Sequence, residues 1–554
     1  MTRTLLAVPS MLVAMCLVSG ALIPLRAAEY FVSPSGNDAN PGTLAAPFQT
    51  FHRGMEVLGV ADTLTVRQGV YRLMDEDSSV KHITLILPGA TEGAFPTIRG
   101  FPGEQAKILG SIHSAGQTWE SVAGGLWRLP ANFLVNDPKG MWNGERRVRH
   151  RMEFRNNLRS HAPTSALTDP GDWTKADASG QGCDEDNSGC FIYMRPVAQE
   201  IPSTEIYEFS QRAVFLAIGV SHLELEGLEF AYTQGTGVYL EGGDGQIVRN
   251  NWFCHHANGH ENSIPIFISG GGALVEGNEV CDSAYWGGVP NSRGITFMFT
   301  DPDNPPTVRN NLLYDIGGPA IGSKGGAAKV LVERNVIRNS GIGVEGGHTR
   351  CQPDCVSGEA WIIRENLLID NRRGISPQVS PSGGEQIYNN VFWENDIAIW
   401  MRFEHNDWSM LNNIFAGNER VIFVDNESGD SIDMKAALAV FASDNNLFFE
   451  NLHDYFLRPD WFGGDEHGTG FSVAQMQASY GREMNSLGGQ DPAFLDPAGE
   501  DFRLRQGSPA IGHGDGTPYG LPAVDLGAFP LGSLLFGDGF ESGNTSQWSA
   551  SVGE

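Results

Sequence analysis

The sequence has few of the features expected of a membrane, nucleic-acid-binding or largely helical protein. After residue 28 there is no run of about 18 apolar residues, so no later segment is long enough to cross a bilayer as a helix. Basic residues number 37 against 66 acidic ones, and the formal charge of −29 disfavours nucleic acid or an anionic membrane as a partner. Only 19% of residues are charged, whereas 69 are glycine and 30 are proline, a composition typical of turn-dense β structure.

Residues 1–28 are typical of an export signal. Arg3 supplies a positive start, the segment from Leu5 to Leu25 is almost entirely apolar, and the small residues Ala27 and Ala28 follow. Cys16 is preceded by Met15, which does not fit the sequence at which bacterial lipoproteins are lipidated. We therefore expect cleavage near Ala27 or Ala28 and a secreted, periplasmic or cell-surface protein.

The cysteines beyond this segment are few and even in number. In an exported chain an even count indicates disulfides, and the spacing predicts three local pairs. The members of the middle pair are 27 residues apart, about one turn of the repeating solenoid described next, so this bond could join adjacent coils. Zinc is the alternative, but no histidine lies at zinc-finger spacing from these residues. The predicted pairs are Cys183 with Cys190, Cys254 with Cys281, and Cys351 with Cys355.

A short phrase, asparagine followed by two apolar residues, recurs through the second half of the chain. The intervals are 27, 33, 24, 31, 24, 23 and 33 residues, which indicates one solenoid coil per repeat with loops inserted in some coils. Antiparallel hairpins would instead place turns every 8–12 residues. The repeated asparagines are Asn251, Asn278, Asn311, Asn335, Asn366, Asn390, Asn413 and Asn446.

The residue types of this phrase suit a stack of parallel strands. Asparagine tolerates the left-handed conformation that a sharp corner needs, and stacked asparagine side chains can hydrogen-bond to one another along the stack. The apolar residues that follow would point inward and be buried by neighbouring coils. We predict parallel strands from about Val220 to Phe449, with the asparagines at one corner.

Both ends of the chain resemble those of secreted β-helix proteins. Tyr30 to Thr43 resembles their entry segment, and Phe48, Phe51, Met55 and Leu58 have helical spacing, which predicts a capping helix. The segments around Asp491, Gly507 and Asp525 resemble their closing segment. The predicted division is a signal peptide (1–28), an N-terminal cap and first coils (29–99), an inserted β-rich region (100–219), the parallel β-helix with its closing segment (220–530) and a flexible tail (531–554).

Over residues 30–530 the sequence thus resembles the pectate-lyase-like superfamily of secreted right-handed parallel β-helix proteins, many of which act on polysaccharides. The resemblance implies an all-β fold: a right-handed parallel β-helix solenoid with an N-terminal capping helix and an inserted β-rich region. It also implies a polysaccharide partner, and we expect a monomer. It specifies the reaction less closely than the fold, because one architecture hosts several activities.

Aligning the coils predicts one polar column on the solenoid surface. Ile321 to Gly326 matches Ile342 to Gly347, which makes Lys324 equivalent to Glu345, and Glu241 fits the same frame. Lys324 and Arg402 each lie 11 residues before a repeated asparagine. Residues 324–373 carry eight basic and six acidic side chains, a local reversal of charge that an anionic glycan would need.

Lys324 before two glycines resembles a coil-face lysine of β-helix polysaccharide lyases. β-Elimination needs a base near the C5 proton of a uronic acid and a cation beside its carboxylate. Lys324 would be the base if neighbouring positive charge or burial lowers its pKa, with Arg350 or Arg402 binding the carboxylate. A carboxylate at Glu345 beside the lysine would oppose this. The remaining candidate substrate contacts are Glu345, Glu241, His348, Arg373, Trp400 and Trp408.

Three alternatives stay open at this point. Calcium could supply the cation, bound by Asp301 and Asp303 in the loop Thr300–Pro306, although such loops are often plain turns. A glycoside hydrolase would need a pair of carboxylates, and Glu241 and Glu345 lie several coils apart. A surface protein that binds glycans without turnover is the non-enzymatic possibility.

Overall fold

The computed structural model describes residues 27–73, 82–87, 89–135, 138–144, 146–150, 152–155, 158–183, 187–211, 214–257, 264–283, 292–324, 329–346, 361–377, 384–402, 408–426, 433–439, 441–458 and 468–528. Three long sheets dominate it, each with twelve strands stacked in chain order. All pairings within these sheets are parallel except the last one of the third sheet. The predicted parallel β-helix is confirmed.

Each coil contributes one strand to sheet 1, one to sheet 2 and one to sheet 3, in that order along the chain. Sheet 1 consists of Glu29–Val32, Thr63–Val66, Thr97–Gly100, Glu224–Glu226, Ile247–Arg249, Leu274–Glu276, Thr307–Arg309, Leu331–Glu333, Ile362–Arg364, Gln386–Tyr388, Trp408–Leu411 and Phe441–Asp444. Sheet 2 consists of Gly69–Arg72, Ala106–Leu109, Glu229–Ala231, Trp252–Cys254, Glu279–Ser283, Leu312–Ile316, Val336–Arg338, Leu367–Ile369, Val391–Trp393, Ile414–Ala416, Leu447–Phe449 and Leu487–Gly488. Sheet 3 consists of His82–Leu85, Val214–Ile218, Thr236–Glu241, Ile264–Ser269, Ile295–Met298, Pro319–Ser323, Ile342–Gly346, Arg373–Pro377, Ile397–Arg402, Arg420–Asp425, His453–Arg458 and the antiparallel Thr469–Phe471.

The core is the inside of the coil. Because side chains alternate along a strand, each short strand turns one apolar residue inward, as Val332, Ile337 and Val344 do in one coil. These residues are fully buried against their counterparts in the coils above and below. Burying such a side chain contributes roughly 1.5–3 kcal/mol, so stability comes from stacking many coils rather than from any single one.

The repeated asparagines form a ladder at the corner between sheets 1 and 2, as predicted. The Asn366 Oδ1 accepts hydrogen bonds from the backbone N–H and the Nδ2 of Asn335, both at 3.0 Å. The Asn335 Nδ2 also donates to the backbone carbonyl of Val308, at 3.0 Å. Each buried amide therefore satisfies backbone groups that the turn leaves unpaired.

The backbone role expected of these asparagines was wrong in one respect. The left-handed conformation is adopted by the residue before each asparagine. That residue is Gly277 in one coil and Arg334 or Glu365 in others. A second ladder, not predicted, occupies the corner between sheets 2 and 3. It is formed by Asn371, Asn395, Asn418 and Asn451, each five residues after a member of the first ladder.

Helices close the ends of the core. The first helix, α1 (Phe51–Val57), confirms the predicted capping helix: the Thr50 side chain accepts a hydrogen bond from the Arg53 N–H, and Phe51 and Met55 are buried. A short helix, α2, spans Met434–Ala437, and α3 (Val473–Tyr480) begins in a capping box at Ser472 and places Val473 and Met476 against the last coil. In the part of the chain that the structure describes, no helix has the length and hydrophobicity to span a membrane.

The closing segment folds back along the outside of sheet 2. Its Phe494, Phe502, Leu504, Ala510, Leu526 and Ala528 cover outward-facing residues such as Leu367, Val391 and Ile414. It contains the short antiparallel pairs Phe494–Asp496 with Asp501–Leu504 and Gly514–Asp515 with Ala523–Val524, and the 3₁₀ turns Pro497–Gly499 and Thr517–Tyr519. One outer face of the solenoid is therefore occupied by the chain's own C-terminal segment.

The inserted region is narrower than predicted, because Thr97–Gly100, Ala106–Leu109 and Val214–Ile218 already belong to the solenoid. Its four-stranded sheet has the order Arg146–Arg147, Met141–Asn143, Tyr207–Ser210 and Ser111–His113. Its five-stranded sheet has the order Arg149–His150, Asp172–Asp177, Cys190–Met194, Leu126–Pro130 and Glu120–Val122. The hairpin Met152–Arg155 with Leu158–His161 and the 3₁₀ turns Ala123–Gly125, Ala131–Phe133, Thr164–Ala166 and Pro202–Thr204 complete it.

Two of the three predicted disulfides are confirmed. Cys183 pairs with Cys190 inside the inserted region, and Cys254 pairs with Cys281 on neighbouring strands of sheet 2, with 4.5 Å between their Cα atoms. The second bond joins adjacent coils, as the spacing indicated. Cys351 and Cys355 lie outside the described residues.

Candidate functional site

The outer face of sheet 3 carries a continuous column of side chains, one from each coil. Val344 and Ile399 point into the core, so the residues that follow them, Glu345 and Trp400, point outward. The strand register extends this alignment through nine coils. The outer column, as we call it, consists of Tyr239, Phe267, Thr296, Gly322, Glu345, Ser376, Trp400, Phe423 and Phe456. Its middle is small and polar, and both ends are aromatic.

The register corrects one predicted equivalence. Glu345 pairs with Gly322, not with Lys324, so the alignment on the glycine pairs was wrong by two residues. A shift of two positions keeps a side chain on the same face of a sheet, so Glu345 still faces outward. Lys324, Arg402 and Glu241 follow Gly322, Trp400 and Tyr239 by two residues each, so these three occupy matching positions one step along the strands.

Glu345 is held by an arginine from two coils away. The Arg293 Nη1 donates to Glu345 Oε2 at 2.5 Å and to the backbone carbonyl of Ser323, in the coil between, at 3.1 Å. Both charged side chains are almost completely buried. Burial raises the pKa of Glu345, and the positive charges of Arg293 and Arg373 partly offset that effect. The pair therefore places a compensated carboxylate in the middle of the outer column.

Arg373 lies over the indole of Trp400. Its guanidinium carbon is 4.0 Å from the ring centre, a close cation–π contact. The indole is only 5% exposed and packs against Ile397, Phe423 and Phe456. Trp400 thus supports a cation instead of offering an open ring face to a sugar.

Further cations lie along the same face. Arg420 lies over Phe456, 4.8 Å from its ring centre, and Arg458 pairs with Asp425, its Nε donating to Oδ1 at 2.6 Å. Lys324 is half-buried directly after its strand, and its backbone N–H donates to the Phe297 carbonyl at 2.8 Å. Cations therefore recur along the outer face of sheet 3, where Arg293 pairs with Glu345, Arg458 with Asp425 and Arg420 with Glu419.

Several predicted site residues are not part of this face. Trp408 belongs to sheet 1 and is buried inside the solenoid, so its predicted role in stacking on sugars was wrong. Asp301 accepts a hydrogen bond from the Asp303 N–H at 2.9 Å, which makes this loop a self-contained turn. Glu241 does belong to this face, but it is exposed near the upstream end of the sheet, four coils from Glu345. Arg350 and His348 lie outside the described residues, and the side chain of Arg402 is likewise not described.

Two residues of the site could not be predicted from any sequence pattern. Arg293 lies 52 positions before Glu345, outside any repeated phrase. Thr296 faces outward between the core residues Ile295 and Phe297, and its fully buried hydroxyl has no hydrogen-bond partner. The stacking of coils brings Arg293 to Glu345 and places Thr296 in the same column, two strands from Glu345.

Comparison with known proteins supports the fold. Residues 190–354 match the family described as "Right handed beta helix region". The solved complex of XylC with xylose superposes with a TM-score of 0.51 at 16% identity, covering 78% of this chain and 86% of XylC. A solved glycoside hydrolase superposes with a TM-score of 0.50 at 12% identity, covering 78% of this chain and 96% of that one. This protein is a right-handed parallel β-helix.

A curated relative shares a shorter stretch of sequence. The uncharacterized protein YwoF of Bacillus subtilis (strain 168) is 32% identical over 100 residues, which is 18% of this chain and 18% of YwoF. The alignment thus spans less than a fifth of the relative's length. The family match is longer and includes Arg293, Lys324 and Glu345, whereas Arg373 and Trp400 of the candidate site lie beyond its end.

Proposed function

We propose that the protein is an exported enzyme that cleaves an acidic polysaccharide by β-elimination on the outer face of sheet 3. The observation that carries the proposal is the balance of charge around Glu345. Arg293 and Arg373 act on this one carboxylate, whose charge is already engaged by Arg293, and Lys324 follows the paired strand of the neighbouring coil. Such a patch would attract and orient a uronic acid in spite of the protein's negative total charge.

The reaction assigns a different task to each cation. Lys324 in its neutral form would take the C5 proton of the uronic acid, and Arg373 would bind the carboxylate as it becomes enolate-like. Loss of that proton and departure of the C4 oxygen leave a C4–C5 double bond, and the departing oxygen takes a proton from solvent. The contact with Trp400 restricts the orientation of the planar Arg373 guanidinium, which favours two-pronged binding of a carboxylate.

The corrected register removes an objection to this chemistry. At the position first predicted, Glu345 would stand directly beside Lys324 and oppose loss of its proton. In the structure Glu345 pairs with Gly322, two residues before Lys324, and accepts a hydrogen bond from Arg293. Its negative charge is therefore directed at the buried arginine.

Hydrolysis is the second candidate, favoured by the raised pKa of the buried Glu345 carboxyl and by the likeness in fold to a glycoside hydrolase. It needs a second carboxylate about 5–9.5 Å away. On this face Asp425 lies three coils from Glu345 and Glu241 lies four, which at about 4.8 Å per coil is roughly 14 and 19 Å. Among the described residues of the outer face, no carboxylate stands at the separation that hydrolysis requires.

The test is incubation of the purified protein with a panel of acidic and neutral polysaccharides. We expect ultraviolet absorbance from an unsaturated product with an acidic polymer. New reducing ends without that absorbance would establish a hydrolase, and retention on a polysaccharide without turnover would establish a binding protein. Calcium at Asp301 and Asp303 remains a prediction, which the same assay tests by adding a chelator and then restoring calcium.

A further inference from the structure

We infer that Arg293 is a positioning residue that fixes the backbone from which Lys324 projects. The inference rests on the proposed function of Lys324. Arg293 precedes the strand Ile295–Met298, and it reaches across the next coil to the coil that holds Glu345. It is 4% exposed, so its place is set by the packing around it.

A single nitrogen of Arg293 makes the contacts with Ser323 and with Glu345. Nη1 donates to the Ser323 carbonyl at 3.1 Å and to Glu345 Oε2 at 2.5 Å. Ser323 is the last residue of its strand, and Lys324 follows it directly. The Glu345 carboxylate therefore fixes the Arg293 guanidinium. The same guanidinium is hydrogen-bonded to the end of the strand that precedes Lys324.

Lys324 is consequently restrained through the peptide unit that precedes its Cα atom. Its own N–H donates to the Phe297 carbonyl at 2.8 Å, and the carbonyl that precedes it accepts from Arg293. These two bonds tie Lys324 to the preceding coil through both halves of one peptide unit. A displacement of about 1 Å in a catalytic group can reduce turnover roughly 100-fold, so this restraint matters for a base.

Gly322 is what allows the arginine to lie there. A Cβ at this position would stand 2.7 Å from the Arg293 Nη1, closer than such atoms approach. The backbone at Gly322 is not left-handed, so alanine is compatible with it, and the next tightest contact of the added Cβ would be the Pro319 Cβ at 3.1 Å. Gly322→Ala therefore displaces the arginine without changing any charge.

The experiment must separate positioning from simple compensation of charge. Arg293→Met alone leaves Glu345 buried without its partner, so it lowers stability whichever role is correct. The comparison that decides is Glu345→Gln against Arg293→Met/Glu345→Gln, because neither variant contains the buried carboxylate. We expect the double variant to melt no lower than Glu345→Gln, which leaves the buried arginine without its carboxylate, but to have a kcat at least about tenfold lower, with little change in KM. Equal kcat values in the two variants would overturn the inference.

Gly322→Ala gives an independent variant with its own control. We expect it to lower kcat as the loss of Arg293 does, whereas Gly93→Ala, which places its methyl group in open space, leaves kcat unchanged. Full turnover by Gly322→Ala would contradict the assigned contact.

A readout without substrate distinguishes failure of this inference from failure of the proposed function. The rate at which an amine-reactive ester labels Lys324, measured by peptide mass spectrometry, reports the local position of its amine. We expect a severalfold change in Arg293→Met/Glu345→Gln relative to Glu345→Gln, with Lys107 of sheet 2 as the internal reference. Unchanged labelling overturns the positioning role. Changed labelling in a protein whose wild type cleaves none of the polymers leaves the positioning role standing and refutes the proposed function.

Discussion

Arg147 and Asp282 form an ion pair that joins the inserted region to the solenoid, with Nη1 3.0 Å from Oδ1. The other carboxylate oxygen of Asp282 accepts from the Trp142 indole N–H at 3.0 Å and lies 2.9 Å from His255 Nδ1. Arg147 also lies against the Trp142 ring. A single carboxylate at the corner of sheets 2 and 3 thus gathers several polar contacts between the two parts of the chain, which the Arg72–Glu208 ion pair also joins.

Asp282→Asn should weaken that junction. An amide cannot balance the charge of the partly buried Arg147, and loss of one member of such a pair costs about 3 kcal/mol or more. We expect lower stability in chemical denaturation and faster proteolysis within the inserted region. Glu500→Gln is the control, because its pair with Arg338 is exposed and should contribute about 0.5 kcal/mol or less. Equal effects of the two variants would refute the assigned junction.

The same carboxylate predicts an acid-dependent contribution to stability. Burial acts to raise the pKa of Asp282, but Arg147, His255 and the Trp142 N–H together outweigh it, so that this pKa is lowered. A group with a lowered pKa in the folded state stabilises the protein above its ordinary pKa of about 3.9, and that stability is lost as the pH falls below it. The difference in unfolding free energy between wild type and Asp282→Asn should therefore shrink below about pH 4. A difference that stays constant from neutral to strongly acid pH would contradict this.

Asn366→Ala should be among the most destabilising changes in the solenoid. The Asn366 Oδ1 accepts two hydrogen bonds from Asn335, and its Nδ2 donates to the Val332 carbonyl at 2.9 Å and to Asn390 at 3.0 Å. Alanine leaves these buried groups unpaired, at about 1–3 kcal/mol for each group that water cannot reach. We expect a loss of about 3 kcal/mol or more by chemical denaturation. A loss below 1 kcal/mol would mean that water enters the ladder.

The sequence was sufficient to predict this ladder because its buried amide is a strict requirement that recurs in eight consecutive coils. The residue before each asparagine could not be identified in the same way. It requires only a left-handed backbone, which Gly277, Asn310, Arg334 and Glu365 all adopt, so the position has no constant residue type. The second ladder could have been found from its constant offset of five residues, but it occupies fewer coils.

Glu394→Gly should raise stability. Glu394 adopts a left-handed backbone with φ 54°, which costs a residue with a Cβ about 1–2 kcal/mol. The matching position in the next coil is Gly417, with φ 69°. We expect a gain of about 1 kcal/mol in the free energy of unfolding, after the larger entropy of glycine in the unfolded chain is counted. The reverse change, Gly417→Ala, should lower it, and the same sign for both variants would contradict the argument.

Thr296→Val should also stabilise the free protein. The Thr296 hydroxyl is buried without a partner, and valine keeps its shape while removing that polar atom. A gain of about 1 kcal/mol is expected in thermal or chemical unfolding. Thr233→Val is the matched control of opposite sign, because the Thr233 Oγ1 lies 2.5 Å from the His256 Nδ1 in an equally buried setting. A loss of stability in Thr296→Val would show that its hydroxyl has a partner.

The candidate site was harder to predict than the fold for a geometric reason. The strands of sheet 3 follow segments of variable length, so aligning Lys324 with Glu345 on their glycines slipped by two residues and still kept both on the correct face. Arg293 reaches Glu345 across two coils, a contact that no local spacing encodes. Trp400 faces outward beneath Arg373, whereas Trp408 is enclosed in the core, a difference that depends on which sheet each strand joins.

Lys324 is the residue on which the proposed reaction depends, and two substitutions test two different properties of it. Lys324→Ala removes both the amine and its charge, and it should abolish turnover while changing stability by about 0.5 kcal/mol or less, because the side chain is only half-buried. Lys324→Arg retains the positive charge but cannot lose a proton at ordinary pH. If Lys324 is the base, the arginine variant is as inactive as the alanine variant although it still binds the acidic polymer. If Lys324 only attracts the substrate, arginine restores turnover.

Lys435→Ala is the control for these variants, because Lys435 is exposed on α2, four coils further along the solenoid than Lys324. It should retain wild-type turnover and wild-type melting temperature. Loss of turnover at an unchanged melting temperature, seen in both Lys324 variants and absent from this control, would assign the loss to chemistry instead of unfolding. Full turnover by Lys324→Ala would make Lys324 a structural surface residue, and the base would then have to be sought elsewhere on the outer face of sheet 3.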